Sequence, residues 1–412
     1  MPTGRDSRPR STRFLHIGPH KSGTTTIQGA LELARENLAG HDLAYVGRGY
    51  QTARAAQELM GRSPMFGDKK PNENAWQRLV KQVESAGDQG AIISSEFFCE
   101  APDEETVRRI VDDLGADRVH VVVTLRPLTK ILPAQWQQYV QNGLRMRYEK
   151  WLDAKFNKPP YGPPNRTFWY RHNQAELVSR WSNVVGPENL TVIVVDDSDR
   201  EMLLRSVERV VGVPHGVLIA DDTQENRSLS YGEAELVRQF NGLFKANGWD
   251  DQLYGRYMRR GAVRRMKVNY RPSREEARIP TPRWAMERAA DVGATSVRRI
   301  TELGTHVIGD LDMLGELPED RVGTPPSASV PPEAAAQAVA GAMVASDDPQ
   351  LLIGQARGEQ AGHRSAAPSG KQLALRLARD LVATGRFART SLQRGLRTVN
   401  QPGKRGRNRN TQ

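Results

Sequence analysis

The sequence predicts an α/β fold, a P-loop-type parallel sheet with helices on both faces. Apolar segments alternate with segments of helical spacing over about 200 residues, which is typical of a parallel sheet. The run Val-His-Val-Val-Val-Thr-Leu at 119–125 is apolar enough for a strand buried on both faces. A Gly/Ser/Thr-rich turn carrying one lysine joins the first predicted strand to the first predicted helix, an order that builds an anion-binding loop.

The elements follow in chain order. Residues 13–18 are predicted as the first strand, and 24–37 as a helix with Ile27, Leu31 and Ala34 on its apolar face. Later strands are predicted at 43–46, 91–94, 119–125 and 190–195. Helices are predicted near 51–60, 74–85, 102–114, 173–185, 200–211 and 231–245, with another after Arg126-Pro127. Because ligands of such sheets bind at the carboxyl ends of strands, Gly18, Glu96 and Arg126 are expected at one edge.

Composition divides the chain into five segments. Residues 1–12 are predicted to be a disordered N-terminus, 13–315 the α/β domain, and 316–369, rich in Gly, Pro, Ser and Ala, a flexible linker. Residues 370–400 have the spacing of a basic amphipathic helix, and 401–412 are predicted as a disordered tail.

The charge is concentrated at one end. The net charge is +11, and residues 364–412 hold twelve Lys/Arg and one acid, so 12 − 1 = +11 and residues 1–363 sum to zero. The tail is a solvated arm, a helix on anionic lipid or a nucleic-acid contact. Its interleaved leucines favour an anionic membrane surface over nucleic acid.

Other compositional features limit the class of protein. One cysteine, Cys99, excludes a disulfide framework, and no clustered His, Cys or Asp predicts a metal site. Residues 1–11 lack the apolar core of a secretory signal, and no apolar run reaches the roughly 20 residues of a spanning helix. We therefore expect a cytoplasmic protein, either free or peripheral at the inner membrane face.

The turn at 18–25 carries the strongest functional signal. Gly18 and Gly23 have the spacing of a nucleotide-triphosphate P-loop, but Lys21 precedes Gly23 instead of following it, and Thr24 and Thr25 come next. The order predicts a phosphate-binding loop of a kind other than the ATP/GTP one.

His20-Lys21-Ser22-Gly23-Thr24-Thr25 resembles the 5′-phosphosulfate loop of the sulfotransferase superfamily, roughly P-K-[ST]-G-[TS]-[TS], with Pro19 one place earlier. The resemblance implies 3′-phosphoadenosine 5′-phosphosulfate (PAPS) as co-substrate, without a metal, and a carbohydrate-sulfotransferase-like enzyme. Ser22, Gly23, Thr24 and Thr25 would then bind the donor, and Lys21 would both bind it and act at the bridging oxygen.

Two residues compete for the role of general base. Glu96 directly follows a buried strand at the edge where Gly18 emerges, and many carbohydrate sulfotransferases use a glutamate at the corresponding place. His20, inside the loop, is the alternative. A capping role for Glu96 also stays open, while His16, within the strand, is predicted to be structural.

Arg126 is the predicted ligand of the 3′-phosphate. It ends the most buried strand, and a guanidinium suits a phosphate monoester. The family pairs this arginine with a serine about eight residues on, where this chain has Ala134; Thr129 or Ser228 could substitute.

A fainter resemblance lies further along. Arg259-Arg260-Gly261 is similar to the family's Arg-Lys-Gly element, which implies that Arg260 and Gly261 help to bind the nucleotide; a basic surface helix is the alternative. Residues 226–228 are a further candidate.

The sequence thus predicts transfer of a sulfuryl group from PAPS to a hydroxyl acceptor, a carbohydrate or a glycolipid. The aromatic-rich segment 161–172 either stacks on that sugar or anchors the core. Two alternatives stay open: a P-loop kinase-like phosphotransferase, with Asp196-Asp197 holding Mg²⁺, and a catalytically silent relative that binds nucleotide or membrane.

Overall fold

The structure, a computed structural model, describes residues 11–48, 51–61, 74–160, 162, 166–221, 227–273, 276, 279–324 and 329–347. In these ranges six parallel strands form one sheet in the order β2-β3-β1-β4-β5-β6. The strands are β1 (Arg13–His16), β2 (Leu43–Tyr45), β3 (Gly90–Ser94), β4 (Val119–Leu125), β5 (Leu190–Val194) and β6 (His306–Ile308).

Helices connect the strands. They are α1 (Thr24–Leu33), α2 (Arg35–Ala39), α3 (Gln51–Leu59), α4 (Ala75–Glu84), α5 (Glu104–Asp113), α6 (Leu128–Gln141), α7 (Tyr148–Asn157), α8 (Arg166–His172), α9 (Gln174–Val185), α10 (Met202–Val211), α11 (Tyr231–Ala246), α12 (Asp251–Leu253), α13 (Arg264–Asn269), α14 (Arg283–Leu303) and α15 (Pro332–Asp347). A π-helical segment, Tyr254–Val263, precedes α13. Short 3₁₀ turns include Glu96–Glu100, directly after β3.

Both faces of the sheet are buried, as the apolar strands predict. Successive strand residues point to opposite faces, so Leu15 of β1 joins one apolar cluster, with helices α5, α9 and α14. Phe14 joins the other cluster, with α1 and α10. The predicted fold class is therefore confirmed.

The last strand and the helix before it were not apparent in the sequence. β6 has three residues and pairs with β5 at the sheet edge, too short for an alternating pattern to be visible. α14 spans 21 residues and leads into this strand.

The described residues divide into two compact units, one drawn from 11–255 and 271–331 and the other from 256–270 and 332–347. The sheet belongs to the first unit. In the second, Arg256 donates to the carbonyls of Ala345 and Ser346, at 2.9 and 3.1 Å, near the end of α15.

The structure differs from the predicted linker at 316–369, because α15 occupies part of it. Alanines there gave the composition of a linker, but Ala334, Ala338, Ala342 and Ala345 lie on one buried face at helical spacing. The predicted N-terminal segment lies largely outside the described residues, and the basic helix at 370–400 and the tail at 401–412 lie entirely outside them. Of the helices described, none combines the length and apolar character needed to cross a membrane.

Candidate functional site: the loop after the first strand

The loop between β1 and α1 starts as a continuation of the sheet. The Thr124 N–H of the neighbouring strand donates to the Gly18 carbonyl at 2.8 Å. Gly18 and Gly23 have φ of 80° and 86°, and Lys21 has a φ of 67°. These left-handed positions explain the two glycines, which adopt them without a Cβ penalty. They also turn the chain sharply back towards the N-terminus of α1.

Gly23 is additionally required by packing, which gives a prediction for stability. A Cβ at Gly23 would lie 2.4 Å from Leu203 Cδ2 of α10. We expect Gly23→Ala to lower the free energy of unfolding by about 3 kcal/mol, the sum of left-handed strain and overpacking. Urea denaturation measures this change in the free energy of unfolding.

Gly212→Ala is the matched control, because Gly212 also has a positive φ, of 78°, but no atom lies within 4 Å of its added Cβ. Gly212→Ala should lower the free energy of unfolding by about 1 kcal/mol, because only the left-handed strain contributes. Equal losses in the two variants would contradict the packing explanation.

Ser22 supports the loop from inside. Its hydroxyl donates to the Pro19 carbonyl at 2.6 Å and lies 2.7 Å from Thr124 Oγ1, and the residue is fully buried. Its side chain therefore fixes the loop on β4, which leaves its backbone as the part that could face a ligand.

His16 continues the same hydrogen-bonded network. Its Nδ1 lies 2.7 Å from Ser94 Oγ and its Nε2 3.2 Å from Thr124 Oγ1. Burial lowers the pKa of the imidazole to about 4, so the ring is neutral near pH 7. This environment fits the structural role expected for His16.

Lys21 is held by a contact that the sequence did not predict. Its Nζ donates to Gln138 Oε1 of α6 at 3.0 Å. The ammonium is thus positioned between the loop and α6 rather than extended into solvent. A glutamine in a helix gives no local sign of this role.

The start of α1 is suited to an anion. No side chain caps its first turn, and no acidic residue lies there. Thr24 is largely buried, and Thr25 is exposed. Backbone N–H groups at such a helix end carry partial positive charge, which Lys21 reinforces.

Glu96 lies directly against the loop, as its position after β3 predicts. A Cβ on Gly18 would come within 2.9 Å of Glu96 Cα and Cβ, so only glycine fits there. Gln28 of α1 donates to Glu96 Oε2 at 3.0 Å. Burial alone would raise the pKa of this carboxyl. This effect is outweighed by the charge of His20, by a hydrogen bond from a backbone N–H and by the hydrogen bond from Gln28. Together they hold the pKa of Glu96 below its usual value.

His20 faces a buried ion pair instead. Its Nε2 lies 3.2 Å from Glu100 Oε1, which also accepts from Arg171 Nε at 2.7 Å. Burial, followed by the charge of Arg171, lowers the pKa of His20. Glu100 and Arg171 were not predicted, since they meet only through the packing of α8 on the 3₁₀ turn after β3.

Arg126 lies at the carboxyl end of β4, two residues beyond the strand's contact with Gly18. Its guanidinium donates to Asp197 Oδ2 from Nε at 3.1 Å and from Nη2 at 2.7 Å. Lys130 Nζ lies 3.2 Å from the same oxygen. Asp196 accepts from the backbone and hydroxyl of Ser198, at 2.8 and 2.7 Å.

Arg260, Gly261, Asn226 and the aromatic segment were also candidates for binding. Arg260 is exposed, and a Cβ on Gly261 would lie 2.8 Å from the Gly341 carbonyl of α15, so close helix packing accounts for this glycine. Asn226 lies outside the described residues. In the aromatic segment, Phe168 is buried and packs edge-on against Trp151, the arrangement of a core anchor.

Within the described ranges, no group of three His, Cys, Asp or Glu side chains could hold a metal ion. The fold and the loop define a P-loop-type α/β protein whose candidate site places a turn suited to an anion beside a carboxylate.

Comparison with known proteins adds a structural likeness. No family model and no curated protein matches the chain. A solved structure, a sulfotransferase from Alicyclobacillus acidocaldarius, is 18% identical, covers 58% of this chain and 92% of that chain, and has a TM-score of 0.37. The geometry of the loop and of Glu96 is independent of this likeness.

Proposed function

We propose that this protein is a sulfotransferase that moves a sulfuryl group from PAPS to a hydroxyl of a carbohydrate or glycolipid. The observation that carries the proposal is the contact between the Gly18–Gly23 loop and Glu96. The loop offers backbone N–H groups and Lys21 to an anionic donor, and a carboxylate lies against it. Sulfuryl transfer needs this combination of charge stabilisation and a proton acceptor.

The residues have separate tasks. The loop backbone and the first turn of α1 bind the 5′-phosphate, and Lys21, held by Gln138, stabilises the charge that develops on it. The Glu96 carboxylate, oriented by Gln28, accepts the proton of the acceptor hydroxyl. Arg126 binds the 3′-phosphate from the end of β4.

The partners of Asp196 and Asp197 argue against the alternative function, a P-loop kinase. The alternative needs Asp196 or Asp197 to bind Mg²⁺, but the Asp197 carboxylate is engaged by two cations and Asp196 by its own turn. To bind either carboxylate, Mg²⁺ would have to displace Arg126 and Lys130 from Asp197, or Ser198 from Asp196.

Calorimetric titration with adenosine 3′,5′-bisphosphate tests the proposal. The full chain should bind it in the micromolar range, while ATP with Mg²⁺ should bind far more weakly, since Lys21 lies before Gly23. Tight ATP binding without binding of the bisphosphate would overturn the proposal.

A further inference from the structure

A cluster of two cations and one carboxylate, here called the Asp197 clamp, lies at the carboxyl edge of the sheet. It comprises Arg126, Lys130 and Asp197. Arg126 follows β4, Lys130 lies one helical turn later in α6, and Asp197 follows β5. One oxygen, Asp197 Oδ2, accepts from Arg126 Nε and Nη2 at 3.1 and 2.7 Å and lies 3.2 Å from Lys130 Nζ.

The backbone of the clamp is fixed while its side chains reach solvent. Gln174 donates to the Arg126 carbonyl at 2.7 Å, and Val195 N–H donates to the Leu125 carbonyl at 2.8 Å, which ties the two strand ends together. The side chains of Arg126, Lys130 and Asp197 are 26, 17 and 36% exposed. The carboxylate can therefore be displaced without a change in the backbone at the two strand ends.

No hydroxyl near Arg126 on α6 is available to complete an anion site. The position predicted for a serine is Ala134, and Thr129 Oγ1 is buried without a hydrogen-bond partner. Lys130, beside Thr129, is instead partly exposed and already directed at the same anion as Arg126. The group on α6 that can complete an anion site with Arg126 is therefore the Lys130 ammonium and not a hydroxyl.

We propose, on the basis of the proposed function, that Lys130 is the second ligand of the nucleotide 3′-phosphate and that Asp197 competes with this phosphate for both cations. A phosphate monoester carries more negative charge than a carboxylate and has three acceptor oxygens, so it replaces Asp197 when the nucleotide binds. The carboxylate keeps the two cations in place in the absence of nucleotide and weakens nucleotide binding.

Titrations with two nucleotides test this proposal. Adenosine 3′,5′-bisphosphate and adenosine 5′-monophosphate differ only in the 3′-phosphate. Lys130→Met should weaken binding of the bisphosphate about tenfold or more, the usual loss of a charge-assisted contact, and leave the monophosphate unchanged. Asp197→Asn should tighten binding of the bisphosphate by about two- to fivefold, the strength of an exposed ion pair, again without effect on the monophosphate.

Matched controls and a second variant make the outcome decisive. Asp199→Asn removes a nearby carboxylate that pairs with Arg205, and Lys150→Ala removes an exposed lysine of α7; neither should alter either affinity. Asp197→Ser repeats the test if the asparagine variant does not fold, as judged by circular dichroism. Equal changes for both nucleotides, or none, would overturn this inference alone. Absence of bisphosphate binding by the unaltered chain would overturn the proposed function and the inference with it.

Discussion

Replacing Lys21 with alanine is expected to lower kcat/KM for PAPS-dependent sulfation by about 10²–10³-fold, the usual cost of one preorganised charge-stabilising group. Lys21 Nζ is held by Gln138 at 3.0 Å, so the charge is in place before the reaction. Backbone strain should not contribute to the loss of activity. Lysine and alanine both carry a Cβ, so they are equally strained at the φ of 67°. Release of adenosine 3′,5′-bisphosphate, with PAPS and a panel of hydroxyl-bearing saccharides, measures the rate.

Two control measurements show whether the loss of activity is specific to Lys21. Lys150→Ala removes an equal charge from the surface of α7 and should keep full activity. Urea denaturation should give the Lys21 variant nearly the stability of the unaltered chain. A folded Lys21→Ala protein that kept most of its activity would contradict the role assigned to this lysine.

Replacing Glu96 with glutamine is expected to lower kcat by about 10³-fold, within the range of general base catalysis, while binding of adenosine 3′,5′-bisphosphate stays close to normal. Glutamine keeps an oxygen that can accept from Gln28 but cannot take the acceptor's proton. Steady-state kinetics and calorimetry together separate the two effects. Glu105→Gln, an exposed change on α5, is the matched control and should leave both unchanged.

The pH profile gives a second measure of Glu96. Its carboxylate is the active form, and its pKa lies below the ordinary value of 4.5 despite burial. Activity should therefore persist below the pH at which an ordinary glutamate becomes protonated, and fall only as the pH drops through that lowered pKa, because protonation removes the base.

His20 provides the contrast, since its Nε2 is engaged by Glu100 and Arg171 supports that carboxylate. His20→Gln should cost about tenfold at most, less than a general base contributes. A larger loss for His20 than for Glu96 would reverse the assignment.

The sequence was sufficient for the parts that depend on local pattern. The buried strands were visible as apolar runs, and Gly18, Lys21 and Gly23 were recognisable by spacing. Glu96 could be placed at the same edge because parallel strands end together. The linker prediction overlapped α15, since an alanine-rich helix and an alanine-rich linker have the same composition.

Only the tertiary structure decided which side chains meet. Gln138, Glu100, Arg171 and Asp197 come from elements far from the loop in the chain, so no spacing relates them to it. Gln28 and Lys130 are close in sequence to the loop and to Arg126, but they contact Glu96 and Asp197, which only the fold brings near them. The structure also turned the Ser22 hydroxyl inward to Thr124. The sequence by itself determined the loop and five of the six strands, because backbone conformation and apolar periodicity are local properties; the order of the strands came from the structure. The partners that orient Lys21, Glu96 and Arg126 depend on long-range packing, which a single sequence does not encode at any one position.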